Sequence, residues 1–80
     1  MKTNEIIPRL NEVFRDVFGD SSISVTEKTT ADDIEDWDSL AHISLVAAVE
    51  AEFGLRFKMR EVSAMKNVGD MINLIAERGR

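Results

Sequence analysis

The segment DSLAHISLVAAVEAEFG, from Asp38 to Gly54, decides the fold because it marks both ends of a helix. Aspartate is a preferred residue just before a helix, where its carboxylate accepts a hydrogen bond from an amide of the first turn. Glycine is the usual residue just after a helix, because it adopts a left-handed backbone conformation without strain. The segment therefore predicts an α-helix from Ser39 to Phe53.

The two faces of this helix differ in composition. At about 100° per residue, one broad arc is apolar and is predicted to face the core: Ile43, Leu45, Val46, Val49 and Phe53. The opposite arc contains no charged residue: Leu40, Ala41, Ser44, Ala47, Ala48 and Ala51. Solvated helix faces usually carry several charges, so we interpret this arc as a docking surface. A helix buried on both sides is the alternative.

A first helix is predicted upstream, because apolar residues recur with helical spacing from Ile6 to Phe18. Gly19 is predicted to end it. Pro8 is predicted to lie in the first turn, since further inside it would remove a hydrogen bond. Residues 20–37 then form a long polar connection. Three apolar residues are its predicted anchors: Ile23, Val25 and Ile34.

The last helix is predicted to open at Asn67, which pairs with Asp70 in the manner of a capping box, and to continue to Gly79. Residues 59–65 have room for only a turn or two of helix. No segment has a convincing strand pattern. The 80 residues therefore predict one all-α domain, spanning residues 1–80.

Composition excludes several classes of function. The absence of cysteine rules out a disulfide framework, a thiolate metal site and a cysteine nucleophile. The net charge of −5 argues against nucleic acid as a partner, because a phosphate backbone requires a basic surface. No signal-peptide run or membrane-length apolar stretch is present, so a cytoplasmic protein without membrane insertion is expected.

Ser39 is the first residue inside the second helix, beside the partial positive charge of the helix N-terminus. A phosphate attached there would face unpaired backbone amides, which favours an anion. The alternative is a serine that begins the helix and has no further role. The residues alone leave both interpretations open.

Three motifs, in order and at matching spacing, resemble the acyl carrier protein family along nearly the whole chain. They are Asp38-Ser39-Leu40, the helix ending from Glu50 to Gly54, and Val68-Gly69-Asp70 at the opening of the last helix. The resemblance implies a four-helix bundle with three longer helices, a short third helix and a long loop between helices one and two.

The resemblance also implies a cofactor. A phosphopantetheinyl transferase would move 4′-phosphopantetheine from coenzyme A onto Ser39 as a phosphodiester. The thiol of that arm would hold acyl groups as thioesters and carry them between acyl-loading and acyl-transferring enzymes. The chain would then be a carrier rather than an enzyme, with no catalytic or metal-binding residues of its own, and we expect a monomer.

Five residues are expected to recognise partner enzymes: Asp38, Leu40, Glu35, Asp36 and Ala47. Glu35 and Asp36 are included because the acids of this chain cluster in the loop before Ser39. Six residues are expected to line a pocket for the acyl chain: Ile43, Val46, Phe57, Met65, Met71 and Ile72.

The chain departs from the common pattern of fatty-acid-synthesis carriers at the partner-facing positions. That pattern has acids one helical turn apart, where this chain has Ala41 and Ser44. The neighbourhood of the short helix, often acidic, contains four bases: Arg56, Lys58, Arg60 and Lys66. We therefore expect a specialised carrier for a fatty-acid, polyketide or lipid-modification pathway. An aminoacyl or peptidyl carrier and a cofactor-free interaction module are the alternatives.

Two other site types fit the sequence poorly. Ser39 and His42 resemble a nucleophile and base, but the sequence offers no evident oxyanion hole or orienting acid, so His42 is interpreted as a hydrogen-bonded residue beside the core. The acids around Asp32 and Asp36 do not match the alternating calcium-loop pattern in any register.

Overall fold

The computed structural model describes residues 2–79 and contains four α-helices. They are α1 Thr3–Phe18, α2 Ser39–Phe53, α3 Met59–Ala64 and α4 Val68–Arg78. A one-turn 3₁₀ helix, Ala31–Asp33, lies in the long connection between α1 and α2. No strand occurs among residues 2–79. The predicted all-α architecture, with its short third helix and long first loop, is confirmed.

The predicted ends of α2 are also confirmed. The Asp38 side chain accepts a hydrogen bond from the amide of Ala41 at 2.8 Å. Gly54 follows the helix with a φ of 62°, in the left-handed region. Gly19 has the same φ after α1, and its amide donates to the Arg15 carbonyl.

The prediction that Pro8 lies in the first turn is wrong by about two residues. Because α1 begins at Thr3, Pro8 lies in the second turn rather than the first. Proline has no amide hydrogen, so the carbonyl four residues earlier loses its helical donor there. The helix nevertheless starts early, since the buried side chain of Ile6 belongs to its core stripe.

The core lies between α1, α2 and α4, and its largest side chains are fully buried. Phe14 and Leu10 come from α1, Phe53 and Leu45 from α2, and Ile75 from α4. Arg9 ties α1 to the end of α2, because its Nε donates to Glu52 Oε2 at 2.8 Å. The guanidinium also lies 4.6 Å from the centroid of the Phe53 ring.

The short helix α3 and the segment that leads into it are attached to α4 and α2 by side chains of those helices. The Phe57 amide donates to Glu50 Oε2 of α2 at 2.8 Å. Arg78, at the end of α4, makes a two-pronged ion pair with Glu61. This pairing lowers the pKa of Glu61 to about 2.

The long connection is held to the helices along its length. Asn11 accepts a hydrogen bond from the Val25 amide at 2.7 Å, and Arg15 Nε donates to the Ile23 carbonyl at 2.7 Å. Val25 is buried, while Ile23 and Ile34 pack against the core. The three predicted anchors are therefore confirmed.

Candidate functional site

Ser39 occupies the first turn of α2 and is exposed. The preceding Asp38 organises the backbone beneath it, because its side chain binds the Ala41 amide and its carbonyl accepts from the His42 amide at 2.9 Å. The amides of the first helical residues have no partner within the helix. The Ser39 hydroxyl is thus presented to solvent at the positive end of a well-capped helix.

Trp37 supports this helix start from the side of the loop. Its half-buried indole packs edge-on against Phe14 with ring centroids 5.3 Å apart, and it also contacts Phe18. The indole Nε1 donates to His42 Nδ1 at 3.1 Å. The expectation that His42 is hydrogen-bonded beside the core is confirmed.

The hydrogen bonds of His42 fix its tautomer. An indole N–H only donates, so Nδ1 must be the accepting nitrogen, and the proton is assigned to Nε2. That nitrogen faces the Val62 carbonyl of α3 at 3.3 Å, and a carbonyl only accepts. Both ring nitrogens are therefore engaged with partners other than Ser39. This arrangement does not suit a general base that activates the serine.

A cavity of about 400 Å³ opens beside Ser39. One side is formed by the start of α2 and the residue before its cap: Trp37, Asp38, Ser39 and His42. The remaining lining comes from Ala31, from α3 and the linker after it, and from α4: Val62, Ser63, Met65, Lys66, Asn67 and Met71. Both apolar and polar side chains line this space, which makes it amphipathic.

Of the six residues expected to line an acyl pocket, two line the cavity beside Ser39. Met65 and Met71 line the cavity beside Ser39. Val46 and Ile72 are buried, and Phe57 is half-buried against the core. The sequence did not single out the linker residues Lys66 and Asn67 as lining, because nothing in their pattern indicates that the linker folds back towards α2.

The expectation that Ile43 faces the core is wrong, since 64% of its surface is exposed. Ile43 precedes the fully buried Val49 by six residues, which places it about 120° away around the helix. It therefore joins Leu40, which is 77% exposed, on the outer side of α2.

The outer face of α2 consists of exposed residues without charge: Leu40, Ile43, Ser44, Ala47 and Ala51. It is narrower than predicted, because Ala41 and Ala48 are half-buried. Glu35 and Asp36, in the loop just before the cap, are exposed. The residues expected to recognise partners thus lie near Ser39 in the chain and are accessible.

Two negative findings apply to residues 2–79. No helix there is long and apolar enough to cross a membrane. No three side chains of the histidine, cysteine, aspartate or glutamate type are grouped to hold a metal ion in that part of the chain.

Comparison with known proteins adds to this geometry. A family model described as "Phosphopantetheine attachment site" matches residues 8–75. The acyl carrier protein of Acidothermus cellulolyticus is 38% identical over 77 residues, which cover 95% of this chain and 90% of that protein. The acyl carrier protein of Petrotoga mobilis is 30% identical over 78 residues, covering 98% and 92%.

A solved structure has the same arrangement of helices. The solution NMR structure of the holo acyl carrier protein from Geobacter metallireducens superimposes with a TM-score of 0.84 and 39% sequence identity. The match covers 90% of this chain and 83% of that one.

Proposed function

We propose that Ser39 carries the prosthetic group of this protein. The chain belongs to the family described as "Phosphopantetheine attachment site", and within it to the acyl carrier proteins. The observation that carries the proposal is the exposed Ser39 hydroxyl in the first turn of α2. Asp38 and Leu40 flank it, completing the motif on which the resemblance rests.

The residues around Ser39 suit 4′-phosphopantetheine. The arm begins with a phosphodiester, and the free amides and positive end of α2 favour an anion there. The rest of the arm is amphipathic, as is the cavity beside Ser39. When bound, the arm supplies the thiol that this cysteine-free chain lacks. The protein's own part is to present the hydroxyl and to accommodate the arm.

Intact mass tests the attachment site. Incubation with coenzyme A, magnesium and a broad-specificity phosphopantetheinyl transferase should add one phosphopantetheine. Ser39→Ala should abolish the addition, whereas the matched variant Ser44→Ala, at an exposed serine of the same helix, should accept it fully. Addition to Ser39→Ala would contradict the assignment, and no addition to the native chain would favour a cofactor-free interaction module.

We further propose that the cargo is an acyl chain and that the pathway is a specialised one. The acyl cargo is supported by the similarity to acyl carrier proteins, and two features support the specialised pathway. The outer face of α2 is uncharged, with Ser44 exposed where ordinary carriers have an acid. The residues around α3 include four exposed bases: Arg56, Lys58, Arg60 and Lys66. Enzymes that recognise acidic carriers should therefore recognise this one poorly.

The specialised role is tested by restoring the missing acids. The double variant Ala41→Asp with Ser44→Glu should become a better substrate for ordinary fatty-acid-synthesis enzymes than the native chain. The double variant Ala41→Asn with Ser44→Gln, which changes the same two positions without adding charge, is the control. If the native holo protein already serves those enzymes as well as a housekeeping carrier does, the proposal of a specialised pathway fails.

A further inference from the structure

We propose that Lys66 is a positioning residue that holds the phosphodiester of the arm against the cavity beside Ser39. The proposal rests on Ser39 being the attachment residue. Ser39 lines that cavity from the first turn of α2, and Lys66 lines it from the linker between α3 and α4. The fold thus brings a cation to the space into which the arm extends.

The charges around the cavity favour this role. Among the described residues that line it, Asp38 is the acid and Lys66 is the base. Attachment of the arm adds a negative phosphodiester to the residue next to Asp38. The positive end of α2 offsets part of that repulsion. Lys66 supplies the full positive charge that the loaded site otherwise lacks.

The backbone at Lys66 is fixed while its side chain is available. The Lys66 amide donates to Asp70 Oδ2 at 2.8 Å, and Asn67 Oδ1 accepts from the Asp70 amide at 2.9 Å. The next amide, of Val68, donates to the Thr29 carbonyl at 2.8 Å. Among residues 2–79 no carboxylate forms an ion pair with the Lys66 ammonium.

A lysine is suited to this contact because it is a compact point charge on a flexible stem of four carbons. It needs no fixed geometry with the phosphodiester, which allows the arm to leave when a partner enzyme binds. An exposed pair of this kind is modest in strength and is weakened by salt. The expected effect is therefore on how often the arm lies against the cavity, not on whether it is attached.

The experiment compares apo and holo proteins by NMR. In the native chain, attachment of the arm should shift the amide resonances of Ser63 and Asn67, and the phosphorus resonance should move with salt. Lys66→Gln should lower the population of the docked arm by about two- to fivefold, and Lys66→Arg should restore it. Lys28→Gln is the matched control, because it removes the same charge from an exposed lysine that does not line the cavity.

The outcomes separate this inference from the attachment proposal. If intact mass shows no arm on the native chain, the attachment proposal fails. If the arm is attached and the changes in resonance between apo and holo forms are the same in Lys66→Gln as in the native protein, the role of Lys66 is overturned. The shifts that attachment of the arm causes in the native protein should disappear at about 1 M salt, where the screening length is about 3 Å. Their persistence would also contradict an ionic contact. Thermal melts of each apo variant verify folding.

Discussion

Gly69 is the residue through which the long loop meets the last helix. Its amide donates to the Glu27 carbonyl at 2.9 Å, as the Val68 amide does to the Thr29 carbonyl. These two bonds satisfy amides that open α4 and have no partner within the helix. A β-carbon at Gly69 would lie only 2.7 Å from the Glu27 oxygen. The glycine of the Val68-Gly69-Asp70 motif is therefore explained by close backbone approach.

Gly69→Ala should lower the free energy of unfolding by about 1–2 kcal/mol. Overpacking a tight site costs about 1–3 kcal/mol, and the better helix propensity of alanine returns up to about 1 kcal/mol. Urea unfolding of the apo protein measures the change. Asn73→Ala, at an exposed position of the same helix, is the control and should be neutral or slightly stabilising. Equal stability of Gly69→Ala and the native chain would disprove the steric explanation.

The hydrogen bond from Trp37 to His42 joins the loop to the base of the candidate site. Because the indole can only donate, His42 must present an unprotonated Nδ1 to keep this bond. The opposite ring nitrogen then reaches the Val62 carbonyl of α3. One side chain thus fixes the loop, the start of α2 and α3 around the cavity that Ser39 also lines.

At the scale of elements, α3 depends on ionic contacts more than the other helices do. It has six residues and none of them is buried. Short helices are marginal on their own, so its position relies on neighbouring elements. The pair between Glu61 and Arg78 ties it to α4, and the Lys58 amide donates to Glu61 Oε1 at 2.8 Å.

The contribution of Glu61 to stability should be lost in acid. Its pKa falls from 4.5 to about 2, chiefly because Arg78 donates hydrogen bonds to the carboxylate. A carboxylate whose pKa is lower in the folded state than in the unfolded state stabilises the fold at a pH above its unfolded-state pKa. That stabilisation is lost as the pH falls towards the folded-state value of about 2. The unfolding free energy of the native chain should therefore fall more steeply between pH 5 and about 2 than that of Glu61→Gln. Parallel pH profiles would show that this pair does not stabilise the fold.

The acidic loop and the outer face of α2 should contribute differently to partner binding. Charges steer association and are screened by salt, whereas apolar contact is not. Neutralising Glu35 and Asp36 together should slow modification by the transferase mainly at low salt. Leu40→Ala should slow this modification at all salt concentrations, because the transferase would bury the exposed leucine side chain when it binds.

Steady-state rates over a range of ionic strength measure both effects. Neutralising Asp16 and Glu77, which are exposed on other helices, changes the net charge equally and is the control. If that control lowers the low-salt rate as much as the loop variant does, the net charge and not the loop steers association.

The elements differ in how far the sequence alone predicts them. The ends of α2 were predictable because Asp38 and Gly54 act locally, through one capping bond and one left-handed residue. The exposure of Ile43 was not, because the angle at which a helix meets its core depends on its neighbours. The position of the linker in the cavity wall was not predictable either, since it is set by hydrogen bonds that the Lys66 and Val68 amides donate to Asp70 and to the distant Thr29.

At the scale of the molecule, a well-packed core lies beside a helix that contributes no buried residue to it. Helices α1, α2 and α4 share the fully buried side chains, whereas α3 has none. The cavity beside Ser39 lies between these two parts, lined by the start of α2 and by α3 with its linker. Two methionines, Met65 and Met71, line it, and methionine adapts readily to irregular space. The molecule thus has a place where an attached chain could be sheltered while the core stays intact.

A medium acyl chain on the holo protein should raise its melting temperature, because the chain would bury apolar surface against this lining. Each buried methylene is worth about 0.8 kcal/mol, and 1 kcal/mol shifts the melting temperature of a domain this size by about 4–8 °C. The comparison is between the acetyl and octanoyl forms, in which the thioester is the same and only the apolar length differs. The holo form, with its free thiol, is the reference. The octanoyl form should melt several degrees above the acetyl form. Equal melting of all three would instead favour an aminoacyl or other polar cargo held outside the bundle.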